Sequence, residues 1–210
     1  MIVAERPDGT RIVRINRPEE AIVYRASFAG AYQDIFSEPP YNERFFPAEA
    51  EGVLQQYLQT PENLTLIAVT GRARVVGFGV GLPLASRHDV VRELRGLLPI
   101  RETFYLADLG VLDSARGSGL GRQLVQLRLR HIDRSRYRHV VLRTSAIRNA
   151  SYEMYMHLGF DDMGVYMEVP ARRMDGHTST DRRLFLSKVL PPPGEQADFD
   201  LPESVDGDTD

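Results

Sequence analysis

One segment in the middle of the chain constrains the fold more than any other. An apolar run, FYLADLGVL at 104–112, is followed by the loop RGSGLG at 116–121 and then by a stretch with helical periodicity. A loop between strand and helix binds anions, because the first helical N–H groups lack partners and lie at the positive end of the helix dipole. The segment therefore predicts a buried strand that leads into a phosphate-binding loop.

The spacing of the glycines excludes two common phosphate loops. A P-loop needs G-x-x-x-x-G-K-[ST], and the chain's only lysine, Lys188, does not follow a glycine. A dinucleotide fingerprint needs G-x-G-x-x-G, whereas Gly117, Gly119 and Gly121 run G-x-G-x-G. A third pattern, R-G-x-G-x-G, fits residues 116–121 at every defined position.

The remaining pattern predicts helices and strands around one sheet. The expected strands are 11–15, 64–70, 74–84, 104–112, 138–145, 164–170 and 182–190. The expected helices are 18–36, 48–59, 88–98 and 150–160, with one more directly after the glycines. Because a meander leads into a β-α-β unit, then a helix and a strand pair, we expect an α/β or α+β fold with one central mixed sheet.

Composition narrows the class of protein. The 210 residues are 42% hydrophobic, which fits one globular domain. The absence of cysteine excludes disulfides and thiolate catalysis, and the five histidines lack paired ligand spacing, so we expect no metal site. No run approaches the roughly 18 apolar residues of a membrane span, and the arginines accompany no nucleic-acid motif. We therefore expect a cytoplasmic protein with neither a membrane nor a nucleic acid as partner.

The C-terminal residues differ from the rest of the chain. Residues 191–210 are proline-rich and carry seven acidic residues and no basic one, which leaves a charge of +4 on residues 1–190 out of the total of −3. Such a segment buries too little apolar surface to become ordered. We predict a domain over 1–190 and a disordered tail over 191–210.

Two ordered motifs resemble the GNAT N-acetyltransferase superfamily. The family's pyrophosphate signature, (Q/R)-x-x-G-x-(G/A), matches the loop at 116–121, and its Y-x-x-x-G-F motif matches YMHLGF at 155–160. The resemblance covers about residues 10–190, and its specific part is 104–160. It implies a V-splayed mixed sheet, with acetyl-CoA or another acyl-CoA bound in the cleft.

The resemblance also implies which residues hold the donor. We expect the pyrophosphate to lie on the loop amides of Arg116, Gly117, Ser118, Gly119, Leu120 and Gly121. Arg122, one residue into the helix, adds positive charge. The pantetheine arm is expected to pair like an added strand with Leu109, Gly110 and Val111, where Gly110 lets the arm lie close.

Asn149 is a weaker donor contact. The family often has a CoA-contacting asparagine seven residues before the tyrosine. Arg148 holds that place here, and Asn149 comes one residue later. Asn149 is therefore a candidate for CoA binding and, equally, an ordinary helix N-cap.

The resemblance implies that Tyr155 is the general acid that protonates the leaving thiolate. The ordinary pKa of tyrosine, about 10, is near that of a thiol. Asp108 is the only carboxylate inside 104–112 and is the candidate base, with Glu102 and Glu43 as weaker alternatives. Structural roles stay open for both: Tyr155 as a core residue, and Asp108 as a hydrogen-bonded aspartate.

The acceptor site is expected at the loop SEPPYNERFF, 37–46. Glu38, Tyr41, Asn42 and Glu43 offer aromatic, amide and acidic contacts, and the two glutamates suit an ammonium group. A set of basic residues elsewhere instead favours a ligand that carries an acid: Arg87, His88, Arg172, Arg173 and His177. The sequence leaves this choice open.

These residues favour direct acyl transfer from acyl-CoA to a small-molecule primary amine in a ternary complex, since no cysteine is available for an acyl-enzyme. Two alternatives stay open. The donor can be an acyl carrier protein thioester, or the chain can be a CoA-binding regulatory protein without turnover. The resemblance also leaves a homodimer through the last strands open.

Overall fold

The fold is organised around one eight-stranded sheet, seen in a computed structural model that describes residues 1–195. The strands are β1 (Ile2–Glu5), β2 (Arg11–Ile15), β3 (Leu64–Thr70), β4 (Arg74–Pro83), β5 (Thr103–Val111), β6 (His139–Ser145), β7 (Asp161–Arg172) and β8 (Thr178–Val189). The helices are α1 (Arg25–Ser37), α2 (Pro47–Gln59), α3 (His88–Leu94), α4 (Leu120–His131) and α5 (Ala150–His157). The strand order is β1-β2-β3-β4-β5-β6-β8-β7, and only the β5–β6 pair is parallel.

The predicted fold class is confirmed: a single domain holds one mixed sheet with helices on both faces. Some boundaries differ from the prediction. The first helix begins at Arg25 rather than at residue 18, because Pro18–Ala21 form a separate 3-10 turn. The third ends at Leu94 rather than at residue 98, and the short β1 was not predicted.

The sheet opens into a V between β5 and β6, and this opening positions the site. The two strands pair only from Thr103–Leu106 to His139–Leu142. Beyond this point β5 stays with β4, while β6 stays with β8. A bulge places two residues of β5, Ala107 and Asp108, opposite Val80 alone. The rest of β5 thus has an unpaired edge in the middle of the sheet.

Two apolar cores cover the faces of the sheet. On one face α4 and α5 pack against the strands through residues such as Leu124 and Tyr152. On the other face α1 and α2 pack around Phe28 and Phe78, whose rings lie 4.8 Å apart. Each fully buried side chain of this size contributes roughly 2–3 kcal/mol of transfer free energy. The walls of the V are therefore rigid elements.

Two sequence predictions are not settled by this fold. Residues 196–210, most of the predicted tail, lie outside the described residues, so the tail's disorder and the boundary at residue 190 stay predictions. Within residues 1–195, no helix is both long and apolar enough to cross a bilayer.

Candidate active site

The glycine loop between β5 and α4 is shaped by left-handed backbone. Gly117 and Gly119 have φ values of 72° and 80°, and α4 begins directly after Gly119. Other residues adopt this conformation only with strain, which explains the glycines. A Cβ added at either position meets no protein atom within 4 Å. Space above the loop is therefore open, and the first N–H groups of α4 are available to an anion.

A groove of about 480 Å³ runs from this loop to the unpaired edge of β5. Ten of the predicted donor residues line it: Leu109, Gly110, Val111, Arg116, Gly117, Gly119, Leu120, Gly121, Arg122 and Asn149. Ser118 does not, because its carbonyl accepts from Arg6 (2.6 Å) and its hydroxyl donates to the carbonyl of Ala115 (2.7 Å). We call this space the donor groove.

The two arginines of the loop have different surroundings. Arg116 donates to the carbonyl of Val111 (3.1 Å) and forms ion pairs with Glu38 (2.5 Å) and Asp113 (3.4 Å), so it braces the loop. Arg122 is exposed and forms no ion pair or hydrogen bond with any residue of 1–195. Arg122 is thus the better placed of the two for a phosphate. Glu38, expected at the acceptor, lies instead on the donor side.

Gly110 has a packing reason in addition to the expected one. A Cβ there would lie 2.6 Å from Cζ of Phe78 and 3.0 Å from Cδ1 of Ile35. The glycine is required by packing against these side chains, and its role in letting the pantetheine arm lie close stays a prediction. Its backbone still lines the groove.

Asn149 combines the two roles that the sequence left open. Its Oδ1 accepts from the N–H of Tyr152 (3.0 Å), which makes it the N-cap of α5. The same residue lines the donor groove. The cap fixes the side chain beside the groove, so the structural role and a ligand contact are compatible.

A second cavity of about 410 Å³ adjoins the donor groove. Tyr41, Leu109 and Ser151 line both spaces, and Asp108 and Tyr155 line the second. The structure therefore brings the predicted acid and base to the junction of the two. We call the second space the acceptor cavity.

The Asp108 carboxylate is held on one side only. Its Oδ2 accepts hydrogen bonds from the hydroxyls of Tyr57 (2.5 Å) and Tyr32 (3.3 Å). Burial, and then the charge of Asp108, raise the pKa of both tyrosines well above 10, so both stay protonated donors. No residue within 1–195 engages Oδ1. One oxygen is thus anchored, while the other is available to a ligand.

Tyr155 lies across the cavity on α5 and is 6% exposed. Its ring packs edge-on against Phe160, with centroids 5.4 Å apart, which fixes its orientation. Burial raises the pKa of Tyr155, and the nearby Arg128 guanidinium opposes that rise. Tyr155 is therefore a protonated phenol beside a positive charge, a combination suited to donating a proton.

Arg128, on α4, is fully buried beneath the bulge of β5. Its Nη1 donates to the carbonyls of Val80 (2.9 Å) and Asp108 (3.2 Å), and its Nε donates to the carbonyl of Leu124 (3.3 Å). Its Nη2 has no hydrogen-bond partner among the described residues. A buried guanidinium with no carboxylate partner is costly, so its place beside the two candidate catalytic groups is notable.

Arg128 was not singled out from the sequence. One signal was present. Gly79 lies in the middle of an apolar strand, where a glycine often marks the close approach of another group. A Cβ at Gly79 would lie 2.9 Å from Nε of Arg128.

Comparison with known proteins agrees with this geometry. The model of the acetyltransferase (GNAT) family matches residues 28–160, more than half of the chain. The chain belongs to the GNAT acetyltransferase family. The predicted resemblance and the prediction of an acyltransferase are both confirmed. No curated protein matches the chain.

Solved structures share the GNAT fold at low sequence identity. A putative acetyltransferase from Acinetobacter baylyi aligns with a TM-score of 0.62 at 16% identity, covering 90% of this chain and 97% of the other. The ribosomal-protein-alanine N-acetyltransferase of Brucella melitensis gives 0.60 at 17%, covering 85% and 99%. A chain of the NatC complex, solved with Gag peptide and CoA, gives 0.55 at 18%, covering 86% and 99%.

The acceptor side of this GNAT enzyme is built from charged side chains of distant elements. Glu43 pairs with Arg183 (2.7 Å), which also pairs with Asp181 (2.9 Å). Burial raises the pKa of Glu43, and the Arg183 charge opposes the rise. Tyr41 lines the cavity under the Arg183 guanidinium, 4.7 Å from its ring centroid.

Other predicted acceptor contacts lie elsewhere. Asn42 has a φ of 50° and accepts the N–H of Met174 at its carbonyl (3.2 Å), so it shapes a turn rather than lining the cavity. Of the basic residues considered for an acidic ligand, Arg87 lines the cavity. The others do not: His88, Arg172, Arg173 and His177. Arg143 and Asp89, which line it beside Arg87, were not singled out from the sequence.

Proposed function

We propose that this enzyme transfers an acetyl group from acetyl-CoA to a primary amine of a small molecule or peptide, by direct attack in a ternary complex. The observation that carries the proposal is the junction of two spaces. The donor groove follows the glycine loop and the unpaired β5 edge, and it meets the acceptor cavity where Asp108 and Tyr155 lie. NatC, a protein with the same fold, was solved with CoA and a peptide.

The chain's residues fit an acyl-CoA donor. The left-handed glycines leave the N-terminus of α4 open to a pyrophosphate, and Arg122 adds an unpaired positive charge there. The edge of β5 from Leu109 to Val111 lacks a partner on the β6 side and suits the amides of a pantetheine arm. When bound, acyl-CoA supplies the acyl group already activated as a thioester.

Asp108 and Tyr155 divide the proton transfers between them. Oδ1 of Asp108 binds the acceptor ammonium and takes the proton that the amine must lose before it attacks, directly or through one water. The hydroxyl of Tyr155 donates its proton to the departing sulfur. Arg128 acts through them as a positioning residue, because it holds the Asp108 carbonyl and lies beside Tyr155.

A thiol-release assay with acetyl-CoA across amino acids, polyamines, aminosugars and peptides tests the function. We expect CoA release that depends on an amine, together with acetyl-CoA binding by calorimetry. Binding heat without release for any amine would contradict the catalytic proposal. Release only from an acyl carrier protein thioester would replace the donor and leave the chemistry intact.

A further inference from the structure

The acceptor cavity contains an unbalanced group of charges, which we call the arginine cluster: Arg87, Asp89 and Arg143. Arg87 donates through Nε (3.2 Å) and Nη2 (3.0 Å) to the two oxygens of Asp89. Arg143 donates through Nη1 to Oδ2 of the same carboxylate (3.4 Å). Asp89 is the only carboxylate of residues 1–195 that pairs with either arginine. Two positive charges therefore share one negative charge.

The excess positive charge persists at neutral pH. Burial acts to raise the pKa of Asp89, but hydrogen bonding by Arg87 and the two guanidinium charges outweigh it and hold the pKa below its usual value. Arginine stays protonated throughout the accessible pH range. The cluster thus carries a net charge of +1 wherever the enzyme is folded and near neutral pH.

Arg143 is mostly buried and has unused donors. Its side chain is 22% exposed, and only Nη1 makes hydrogen bonds, to Asp89 and to Sδ of Met167 (3.4 Å). Its Nε and Nη2 engage no residue of the described chain. A partly desolvated guanidinium is stabilised by an anion, and its planar fork matches a carboxylate.

The rest of the cavity shows that this excess is local. Arg183 shares two carboxylates, Glu43 and Asp181, and Asp181 also pairs with Arg173, so that side is balanced. Among the residues of 1–195 that line the cavity, Asp108 has tyrosine partners and no ion-pair partner. The cavity therefore holds one unpaired negative charge, at Asp108, and one unpaired positive charge, at the arginine cluster.

We propose that the acceptor is an amino acid or another amine that also carries a carboxylate, with its ammonium at Asp108 and its carboxylate at Arg143. This inference rests on the proposed function, which places the amine at Asp108. A ligand with both charges satisfies both unpaired groups. A polyamine or an aminosugar would satisfy Asp108 but would meet like charge at the arginine cluster.

The test compares acids with their own amides. Glycine with glycinamide, and 4-aminobutyrate with 4-aminobutyramide, compare a carboxylate with a neutral amide at two different distances from the ammonium. We expect the better-fitting acid to exceed its amide in kcat/KM by roughly 30-fold, the effect of truncating one partner of a desolvated charge pair. Arg143→Gln should remove this preference mainly through KM, and Arg143→Lys should restore part of it. Arg182→Gln, an exposed change on β8, is the matched control and should keep the preference.

The outcomes separate this inference from the proposed function. Equal use of acid and amide by the wild type, or a preference that survives Arg143→Gln, overturns the inference while acyl transfer stands. If no amine is acylated, the proposed function fails. The inference about Arg143 is then tested by ligand binding alone. Stabilisation of the wild type but not of Arg143→Gln by the acids, read from Tm, then supports the inference. Equal shifts of Tm in both proteins overturn it.

Discussion

The donor groove and the acceptor cavity are built in opposite ways. More than half of the residues that line the groove come from one continuous stretch, 109–122. The cavity is lined by side chains from α1, α2, β5, β6, α5 and β8, which are far apart in the sequence. Backbone recognition depends on local conformation, whereas side-chain recognition depends on tertiary contacts. Changes of conformation should therefore disable the groove, and changes of functional group should disable the cavity.

The largest expected effect comes from adding a side chain to the glycine loop of the donor groove. Gly119→Glu places a negative side chain in the space open to the pyrophosphate, so we expect acetyl-CoA binding to disappear in calorimetry. Gly164→Glu is the control, because Gly164 has a similar φ of 65°, open surroundings and no place in either space. Both changes carry backbone strain of about 1–2 kcal/mol, so the two variants should differ in acetyl-CoA affinity and not in stability. Unchanged affinity in Gly119→Glu would make the loop a simple turn.

In the cavity, the largest loss should come from Asp108→Asn. The amide keeps an oxygen for Tyr32 and Tyr57 but no longer takes a proton, so we expect turnover to fall roughly 100- to 1000-fold. Acetyl-CoA affinity should stay within about twofold, because Asp108 lies outside the donor groove. Asp162→Asn is the matched control, since Asp162 also accepts a tyrosine hydroxyl, from Tyr152 (3.4 Å). Full activity in Asp108→Asn would leave Asp108 a purely structural aspartate.

Tyr155→Phe should have a smaller effect on turnover. We expect about a 100-fold fall in kcat, the lower end of the range for a lost general acid, because water can still protonate the thiolate. Tyr152→Phe, in the same helix and equally buried, removes a hydroxyl outside both spaces and should be nearly silent. Similar losses in the two variants would mean that Tyr155 acts through packing alone.

The glycine loop of the groove could be recognised in the sequence, because its residues are contiguous and its conformation is local. Left-handed backbone at Gly117 and Gly119 requires glycine, so the conformation leaves a local signature. The strands and helices were similarly predictable from periodicity. The short β1 was not, because four residues carry too little pattern.

The cavity left no such signature. Arg143 lies in a strand whose alternation looks ordinary, and Asp89 lies in a short helix; only the fold brings them together. Glu38 and Asn42 show the reverse case. Their types suited contacts with an acceptor, but the loop directs Glu38 to Arg116 and places Asn42 in a turn. Residue type alone does not reveal which side of a loop faces a cavity.

Arg128 lies between the two regions, because it binds backbone carbonyls of β4 and β5 and lies beside Tyr155 of the acceptor cavity. Arg128→Met leaves the carbonyls of Val80 and Asp108 without partners, which costs about 1–3 kcal/mol each, and removal of a poorly paired charge offsets part of this. We expect a modest fall in Tm and about a tenfold fall in kcat. Arg92→Met, an exposed change on α3, should change neither. A loss of Tm without any loss of kcat would confine Arg128 to a structural role.

The smallest expected effect is on the pH profile. Burial raises the folded pKa of Tyr155 above 10, despite the opposing Arg128 charge, so the phenol keeps its proton up to about pH 9.5. Ionisation of Tyr155 should therefore cause no fall of kcat between about pH 7 and 9.5. Arg128→Met removes the group that lowers this pKa, so the value moves further up and the plateau persists. A wild-type kcat that declines above about pH 8, with the decline absent in Tyr155→Phe, would show that the guanidinium dominates over burial.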